Sequence, residues 1–358
     1  MSEIETKGTA FTSIPVIDIA ALFSDDEAAK RRVAAEMADA AGNVGFLYVK
    51  GHNIPREMIE KLEARAAEFF SLPQEQKMKR YIGKSRAHRG YVPTGEEGFY
   101  DGTDPAKIDK KEAFDLSIEL PEDDPDHAIG YRMLGPNQWP DELPEMRRDV
   151  YAYYEAAMAL GHKLFEGFAL ALGLPENHFE QWLTKPPSQL RLVHYPADPA
   201  RAPLEGQKAE WGISAHTDYE CFTILHVTAP GLQVMNANGD WIDAPPVEGA
   251  FVINIGDMLE AMTNGRFIAT PHRVRNVPDQ RFSFPLFCSL DYDTLIEPLP
   301  QFIESEKRYP GYGAGDHLVT QTMRTFNYLK KLVTAGKLEL PESEDRATAF
   351  GRREKEVA

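Results

Sequence analysis

The chain has 358 residues, of which 42% are hydrophobic and 27% are charged, and its formal net charge is −17. This composition is ordinary for a globular protein, and no apolar run approaches the roughly 20 residues that span a bilayer. A strongly acidic chain also repels phosphate backbones. We therefore expect neither a membrane role nor a nucleic-acid partner.

The cysteines and the N-terminus predict the compartment. Cys221 and Cys288 are the only cysteines, which is too few for a disulfide scaffold. The stretch "MSEIETKGTAFTSIP" has no basic region followed by an apolar core, so it does not resemble a secretory signal. We expect a cytoplasmic protein with reduced thiols.

The first half of the chain is predicted to be largely helical. Helices are indicated by "DDEAAKRRVAAEMADAAG", which ends near Gly42, and by "PREMIEKLEARAAEFF", with a short strand at "GFLYVKG" between them. The segment from Tyr81 to Pro144 is rich in Gly, Pro and Asp, which predicts irregular covering structure, a lid or a substrate wall. A long apolar helix follows at "RRDVYAYYEAAMALGHKLFEGFALALG", where we interpret His162 as an ordinary helix residue.

From Gln189 the pattern changes to short apolar or alternating segments separated by turn residues. These segments predict an antiparallel β-sandwich or barrel, with a hairpin at "NANGDW". The tail "GDHLVTQTMRTFNYLKKLV" returns to helix. The predicted fold is mainly β, with helices wrapped around one barrel-like core.

A candidate metal site lies in "SAHTDYECFTILHV". Residues two apart on a strand face the same side, so His216 and Asp218 can offer an imidazole and a carboxylate to one point. A third ligand must come from elsewhere, and His272 in "TPHRVRN" is the candidate. Two histidines and one carboxylate suit Fe(II) and related divalent ions and leave coordination positions open.

A candidate anion site follows on a later strand. In "RFSFPLF", Arg281 and Ser283 are two residues apart and so share a face, where a guanidinium and a hydroxyl can hold a carboxylate. An anion anchor beside a metal implies a chelating acid.

The whole chain resembles the iron(II)- and 2-oxoglutarate-dependent oxygenase superfamily, and within it the isopenicillin N synthase-like group. The resemblance is carried, in order, by "IPVIDIAALF", "GFLYVKGHNIP", "FFSLPQEQKMK", "RGYVPTGEE", "GPNQWP", "LRLVHYP", "HTDYECFTILHV", "GLQV", "VINIGDMLEAMTNGRFIATPHRV" and "RFSFPLF". It implies a double-stranded β-helix, or jelly-roll, core wrapped by helices. It also implies an N-terminal region over residues 1–145, an oxygenase core over 146–335 and a polar tail over 336–358.

The resemblance assigns roles to the candidate residues. His216, Asp218 and His272 would be the iron ligands, Arg281 and Ser283 would grip the far carboxylate of 2-oxoglutarate, and Tyr195 would add a hydroxyl nearby. Asn254, Gly256, Asn264 and Gly265 look like scaffold residues. Val193 stands where some relatives carry an asparagine, and Cys221 and His226 depart from the commoner pattern; we interpret both as packing residues, although His226 could face the site.

The implied reaction consumes O2 and 2-oxoglutarate, releases succinate and CO2, and oxidises, most commonly hydroxylates, a C–H bond of a small organic molecule. The stretch "AHRGYVPTGEEGFY" has a counterpart at the barrel mouth in relatives, so Arg89, Tyr91 and Tyr100 are candidate substrate contacts, together with Phe287. The sequence chooses neither the substrate nor the outcome among hydroxylation, desaturation, ring closure and ring expansion. We expect a monomer or weak homo-oligomer.

Other interpretations stay open at this point. The arginine and serine pair also occurs in family members that use no 2-oxoglutarate, such as oxidases of the isopenicillin N synthase or aminocyclopropane carboxylate oxidase type. A non-catalytic metal or small-acid binding module on the same barrel is a second alternative. A zinc hydrolase is disfavoured because the chain has no HExxH motif.

Overall fold

A computed structural model describes residues 8–98, 109–197, 211–275, 278–303 and 308–340 of the chain. Helices and strands alternate in the first half of this part of the chain, and strands dominate after Gln189. The helices are α1 (Glu27–Asn43), α2 (Arg56–Ser71), α3 (Gln74–Met78), α4 (Pro125–Ile129), α5 (Pro144–Ala171), α6 (Asp257–Met262), α7 (Ala314–Thr325) and α8 (Asn327–Thr334).

The strands of the first half are β1 (Val16–Asp18), β2 (Phe46–Lys50), β3 (Gly90–Val92) and β4 (Glu112–Ser117). The strands of the second half are β5 (Gln189–Tyr195), β6 (Trp211–His216), β7 (Phe222–Val227), β8 (Leu232–Met235), β9 (Trp241–Asp243), β10 (Phe251–Ile255), β11 (His272–Arg275), β12 (Arg281–Cys288), β13 (Leu295–Ile296) and β14 (Tyr312–Gly313).

Two sheets form the jelly-roll core. The larger has eight strands in the order β1-β2-β10-β7-β12-β5-β4-β3, and the smaller has the order β6-β11-β8-β9. The pairings are antiparallel apart from β1 with β2. The predicted double-stranded β-helix with flanking helices is confirmed, and the hairpin predicted at "NANGDW" joins β8 to β9.

Helices cover one side of the larger sheet. In α5 the residues Val150, Tyr153, Ala157, Leu160 and Leu164 recur at helical spacing and are buried. The same helix packs against α1, α2 and β12. Capping defines the start of α1, because the Asp26 side chain accepts a hydrogen bond from the Ala29 amide at 2.9 Å. These contacts hold the larger sheet on a rigid helical layer.

The structure corrects the irregular segment predicted from Tyr81 to Pro144. That segment contains β3 and β4, and all six residues of β4 are buried between β3 and β5. The charges of Glu112 and Asp115 hid this strand from sequence reasoning. Each is neutralised by a partner far along the chain, Lys77 at 2.7 Å and Arg191 at 2.7 Å respectively.

The tail is helical, as its pattern predicts, but it forms two helices. It breaks at Phe326, whose extended backbone (φ −92°, ψ 127°) separates α7 from α8. Because β1 to β4 share one sheet with β5, β7, β10 and β12, both sides of residue 145 build the same layer. The division into three regions stays a prediction. Across the described ranges, none of the helices combines the length and hydrophobicity needed to cross a bilayer.

Candidate functional site

A cavity lies between the two sheets, and strand alternation decides which residues face it. On β5, on β12 and on β7 as far as Leu225, every second side chain lines the cavity, as the period of two requires. These side chains are Gln189, Arg191, Val193, Tyr195, Thr223, Leu225, Arg281, Ser283, Pro285 and Phe287. The smaller sheet contributes Ile213, His216, Leu232, His272 and Val274 from the opposite side.

His216, Asp218 and His272 converge in this cavity. Each offers one ligand atom, and these atoms lie within 4.8 Å of one another. The Nε2 atoms of both histidines are 3.6 Å from Oδ1 of Asp218. The histidines are direct cross-strand partners on β6 and β11, which brings their rings to a centroid distance of 4.4 Å. Two imidazoles and one carboxylate on one side of a point form a donor set that fits Fe(II).

Hydrogen bonds orient both imidazoles toward that point. His216 Nδ1 lies 2.8 Å from the Ser214 carbonyl, and His272 Nδ1 lies 3.3 Å from the Thr270 carbonyl. A carbonyl only accepts, so each Nδ1 carries the proton and each Nε2 keeps a free lone pair. Burial and the neighbouring His272 lower the pKa of His216 to about 4, which favours the neutral, ligating form.

Two hydrogen bonds to its Oδ2 atom hold the Asp218 carboxylate in place. Oδ2 accepts hydrogen bonds from Asn254 Nδ2 at 2.7 Å and from the Thr223 hydroxyl, which leaves Oδ1 for the two histidines. Burial acts to raise the pKa of Asp218, but His272, His216 and these two donors together keep it below its usual value. The carboxylate is therefore ionised and fixed in orientation.

The sequence argument placed Asp218 on the same strand as His216, but in the structure Asp218 lies outside that strand. β6 ends at His216, and Asp218 sits in the turn that leads to β7. The backbone of this turn packs against the start of α6, where the Asp257 amide donates to the Asp218 carbonyl at 2.8 Å. A Cβ at Gly256 would lie 2.2 Å from the Glu220 carbonyl oxygen, so this close approach requires glycine.

Arg281, the first residue of β12, also lines the cavity. Its guanidinium is 1% exposed and lies 4.7 Å above the Tyr195 ring, and its Nε donates to the Ala229 carbonyl at 3.1 Å. Among the described residues its Nη1 has no acceptor. Burial lowers the pKa of Arg281, the sign of a cation that lacks an anion. Ser283 lies on the same face of β12 as Arg281. Its cross-strand partner on β5 is Val193, whose side chain has no polar atom.

The other half of the cavity wall carries a buried charge network. Arg191 donates to both oxygens of Asp115 at 2.7 and 2.8 Å and to both oxygens of Glu97 at 2.8 and 2.9 Å. Lys111 adds a contact of 2.6 Å to Glu97. Arg191, Lys111 and Glu97 line the cavity, with Asp115 behind them.

Three more polar side chains line the same half. Glu220, two residues after Asp218, makes no hydrogen bond or ion pair with another side chain within the described part of the chain and stays partly accessible. Burial and the neighbouring Asp218 raise the pKa of Glu220 to about 8. His88 and Thr217 are each 3% exposed, and neither His88 Nε2 nor Thr217 Oγ1 has a described hydrogen-bond partner.

The structure does not bring all predicted substrate residues to the cavity. Arg89 is wholly buried elsewhere and donates to the carbonyls of Ala87, His88 and Met133 at 2.9, 3.0 and 2.5 Å. Tyr91 is also buried away from the cavity, with its hydroxyl donating to Glu112 at 2.5 Å. Neither side chain lines the cavity in the structure, because backbone carbonyls take up the Arg89 guanidinium and the side chains of Gln74 and Glu112 take up the Tyr91 hydroxyl.

The remaining candidates divide as follows. Phe287 lines the cavity as expected, whereas Tyr100 lies outside the described residues. His226 faces the other side of β7, where it stacks on Phe284 and contacts Glu63 of α2 at 2.6 Å. Cys221 is a buried free thiol and, with His226, belongs to packing.

Sequence reasoning missed Glu220, His88 and the charge network. Glu220 stands within the same short stretch as His216 and Asp218, so a third acidic group in "HTDYE" was a usable signal. No local pattern pointed to the network, because Arg191, Asp115 and Glu97 are far apart in sequence. Helix α7 was likewise not expected at the cavity, yet Leu318, Thr322 and Thr325 line it.

Comparison with known proteins agrees with this geometry. Residues 14–142 match the family model for the N-terminal region of non-haem dioxygenases in morphine synthesis, and residues 186–290 match the 2OG-Fe(II) oxygenase superfamily model. A probable iron/ascorbate oxidoreductase of Dictyostelium discoideum is 38% identical, covering 80% of this chain and 85% of its own. A homoarginine-6-hydroxylase of Glycine max is 34% identical, covering 89% and 98%.

Solved structures agree as well. A full-length Neurospora crassa protein, solved in complex with alpha-KG and thymine, superposes with a TM-score of 0.74 at 30% identity, covering 86% of this chain and 96% of that one. The predicted dependence on Fe(II) and 2-oxoglutarate is thereby confirmed, as is the prediction of an enzyme that acts on small molecules. The chain belongs to the 2-oxoglutarate- and iron(II)-dependent oxygenase superfamily.

Proposed function

We propose that His216, Asp218 and His272 hold the iron and that Arg281 and Ser283 bind the far carboxylate of 2-oxoglutarate. One observation carries the assignment: the only cluster of metal-ligand type among the described residues shares its cavity with a buried arginine whose Nη1 lacks an acceptor. Tyr195 supports the arginine through its ring and adds a hydroxyl beside it.

Fe(II) and 2-oxoglutarate supply the chemistry, which couples O2 to oxidation of a C–H bond while 2-oxoglutarate becomes succinate and CO2. The side chains of this protein contribute positioning. Asn254 and Thr223 fix Asp218, the Ser214 and Thr270 carbonyls fix the histidines, and Arg281 sets the direction of the co-substrate. The apolar wall formed by Leu225, Val274 and Phe287, among others, excludes water.

We assign hydroxylation as the outcome, on a small molecule that occupies the half of the cavity lined by Phe287, His88 and α7. Relatives whose names include hydroxylase support the outcome. Two free, buried thiols support a reducing cytoplasmic location. We propose a monomer or weak homo-oligomer.

Stoichiometry tests the function. With Fe(II), O2 and 2-oxoglutarate, the enzyme should form one succinate for each oxidised product. Asp218→Ala should abolish turnover while leaving the circular dichroism spectrum unchanged. Product formed without 2-oxoglutarate would instead place the protein among the oxidases, with Arg281 holding the primary substrate.

A further inference from the structure

The substrate half is the half of the cavity in which we place the substrate. Its described cations, Arg191 and Lys111, already pair with anions. Arg191 uses Nε, Nη1 and Nη2 on Asp115 and Glu97, and Lys111 contacts Glu97 at 2.6 Å. Two positive charges therefore face two negative ones inside a closed network. Among the described residues that line the cavity, no cation is left for a substrate anion, since Arg281 is assigned to the co-substrate; Arg132 acts on His88 from outside this lining.

Two further carboxyl groups, those of Asp109 and Glu220, line the cavity without an ion pair among the described residues. Asp109 accepts two hydrogen bonds from Ser214, both at 3.2 Å, and these come from neutral donors. Glu220 has no partner side chain within the described ranges. The wall thus carries two carboxyl groups beyond those of the network, and a buried carboxylate is stable only when a donor or a cation is paired with it.

Neutral groups with free hydrogen-bonding capacity lie in the same cavity. His88 Nδ1 forms a hydrogen bond with the Tyr328 hydroxyl at 2.7 Å, whereas its Nε2 has no described partner. Thr217 Oγ1 also has no described partner. Both residues are at least nine-tenths buried and line the same cavity as Glu220. These orphaned polar atoms mark a place built for a polar ligand and not for an apolar one.

We propose that the substrate carries a basic group, an ammonium, amidinium or guanidinium, that pairs with the Glu220 carboxylate. This inference rests on the proposed function and names the substrate class of the same site. His88 and Thr217 then contact the polar part of the substrate nearby. The cation then pairs with a carboxylate that has no ion-pair partner in the described part of the chain.

Matched pairs of compounds test the charge requirement. The probes are L-arginine with L-citrulline, L-lysine with L-norleucine, and agmatine with N-carbamoylputrescine, together with uncharged thymine and anionic glutarate. Succinate release above the background without substrate is measured for each compound with the Fe(II) enzyme. We expect a cationic member to stimulate succinate release at least tenfold more than its neutral partner.

Two variants locate the effect. Glu220→Gln keeps the shape of the side chain and should raise the KM of the active cationic compound about ten- to hundredfold, with the preference over its neutral partner lost. Glu248→Gln removes the same formal charge from an exposed position outside the cavity and should change neither value. Wild-type preference for thymine, glutarate or a neutral partner, or an unchanged KM in Glu220→Gln, overturns the proposal.

Binding separates this proposal from the function on which it rests. Calorimetry with Mn(II) and then 2-oxoglutarate should give equal affinities in wild type and Glu220→Gln. If wild type binds both but no compound of the panel stimulates succinate release, the basic-substrate proposal is rejected and the oxygenase site stands. If wild type binds no 2-oxoglutarate, the proposed function itself fails.

Discussion

The two oxygens of Asp218 have separate tasks. Oδ1 faces both Nε2 atoms at 3.6 Å, whereas Oδ2 is occupied by Asn254 and Thr223. A carboxylate with one free oxygen binds a metal in a defined direction, because rotation about its terminal bond would break two hydrogen bonds. The metal affinity of this protein should therefore depend on residues that never touch the metal.

Asn254→Ala should weaken Mn(II) binding about ten- to hundredfold, because Asp218 loses a donor and its preferred orientation. Calorimetric titration of the purified variant gives the affinity. Asn236→Ala is the matched control, since Asn236 is also a buried amide but bonds the Phe11 carbonyl in the β8–β9 hairpin. Equal metal affinity in Asn254→Ala and wild type would contradict the positioning role.

Arg281→Lys should weaken 2-oxoglutarate binding about ten- to hundredfold although the charge is kept. A charge-assisted hydrogen bond contributes on the order of 1.5 to 3 kcal/mol, and an ammonium lacks the planar fork that matches a carboxylate. Ser283→Ala should have a smaller effect. The measurement is the KM for 2-oxoglutarate, with Arg273→Lys as control because Arg273 stacks on Trp241 outside the cavity. An unchanged KM in Arg281→Lys would remove the arginine from the co-substrate site.

Short-range patterns revealed the part of the site that is local in sequence. His216 and Asp218 stand two residues apart, and Arg281, Ser283 and Phe287 follow the alternation of a single strand, which the structure reproduces. The place of His88 at the cavity depends on how the loop before β3 packs against Phe326 and Tyr328 near the C-terminal end of the fold. No period in the sequence encodes that path.

At the scale of elements, β4 shows how charge pairs conceal a buried strand. Its sequence EAFDLS carries two acids and was predicted as covering structure, yet every residue is buried. Glu112 contacts Lys77, and its other oxygen lies 2.8 Å from His194. Burial acts to raise the pKa of Glu112, but these partners keep it below its usual value, so the carboxylate stays charged. Alternation of hydrophobicity fails wherever polar groups are paired in this way.

The loop before β3 depends on a different device, the fully buried Arg89. Arg89→Met should lower the free energy of unfolding by on the order of 3 kcal/mol or more, because the carbonyls of Ala87, His88 and Met133 lose their donors. Urea denaturation measures this loss. Arg86→Met is the control, since Arg86 is exposed and donates to one carbonyl, that of His127.

The outcome also separates two roles for Arg89. A structural role predicts a large change in stability, with the KM values for 2-oxoglutarate and for the primary substrate unchanged in the fraction that stays folded. Wild-type stability combined with a raised KM for the primary substrate would restore Arg89 as a substrate contact. The burial of its guanidinium, which lowers the pKa of Arg89 to about 10, argues for the structural role.

For the molecule as a whole, the sequence predicted the fold class because hydrophobic periodicity survives across most elements. The change from helical spacing to alternation near Gln189 corresponds to the change from α5 to β5. What periodicity did not predict is that β1 to β4 complete the larger sheet, since strand order depends on contacts between distant segments. The site itself bridges the sheets: His216 and His272 belong to the smaller one, while Asn254, Thr223 and Arg281 belong to the larger one.

Because the site joins both sheets, its ligands should stabilise the entire fold. A ligand that binds only the native state adds about 2.7 kcal/mol at a hundredfold excess over its Kd. Mn(II), which stands in for Fe(II) without turnover, should therefore raise Tm by roughly 5 °C, and EDTA should reverse the rise. 2-Oxoglutarate should add a further increment only when Mn(II) is present, since chelation needs the metal. Scanning calorimetry of wild type, Asp218→Ala and Arg281→Lys separates the two increments in Tm. Asp218→Ala should lose the increments from Mn(II) and from 2-oxoglutarate, and Arg281→Lys should lose mainly the increment from 2-oxoglutarate. A rise of equal size in Asp218→Ala would place the metal somewhere other than between the two sheets.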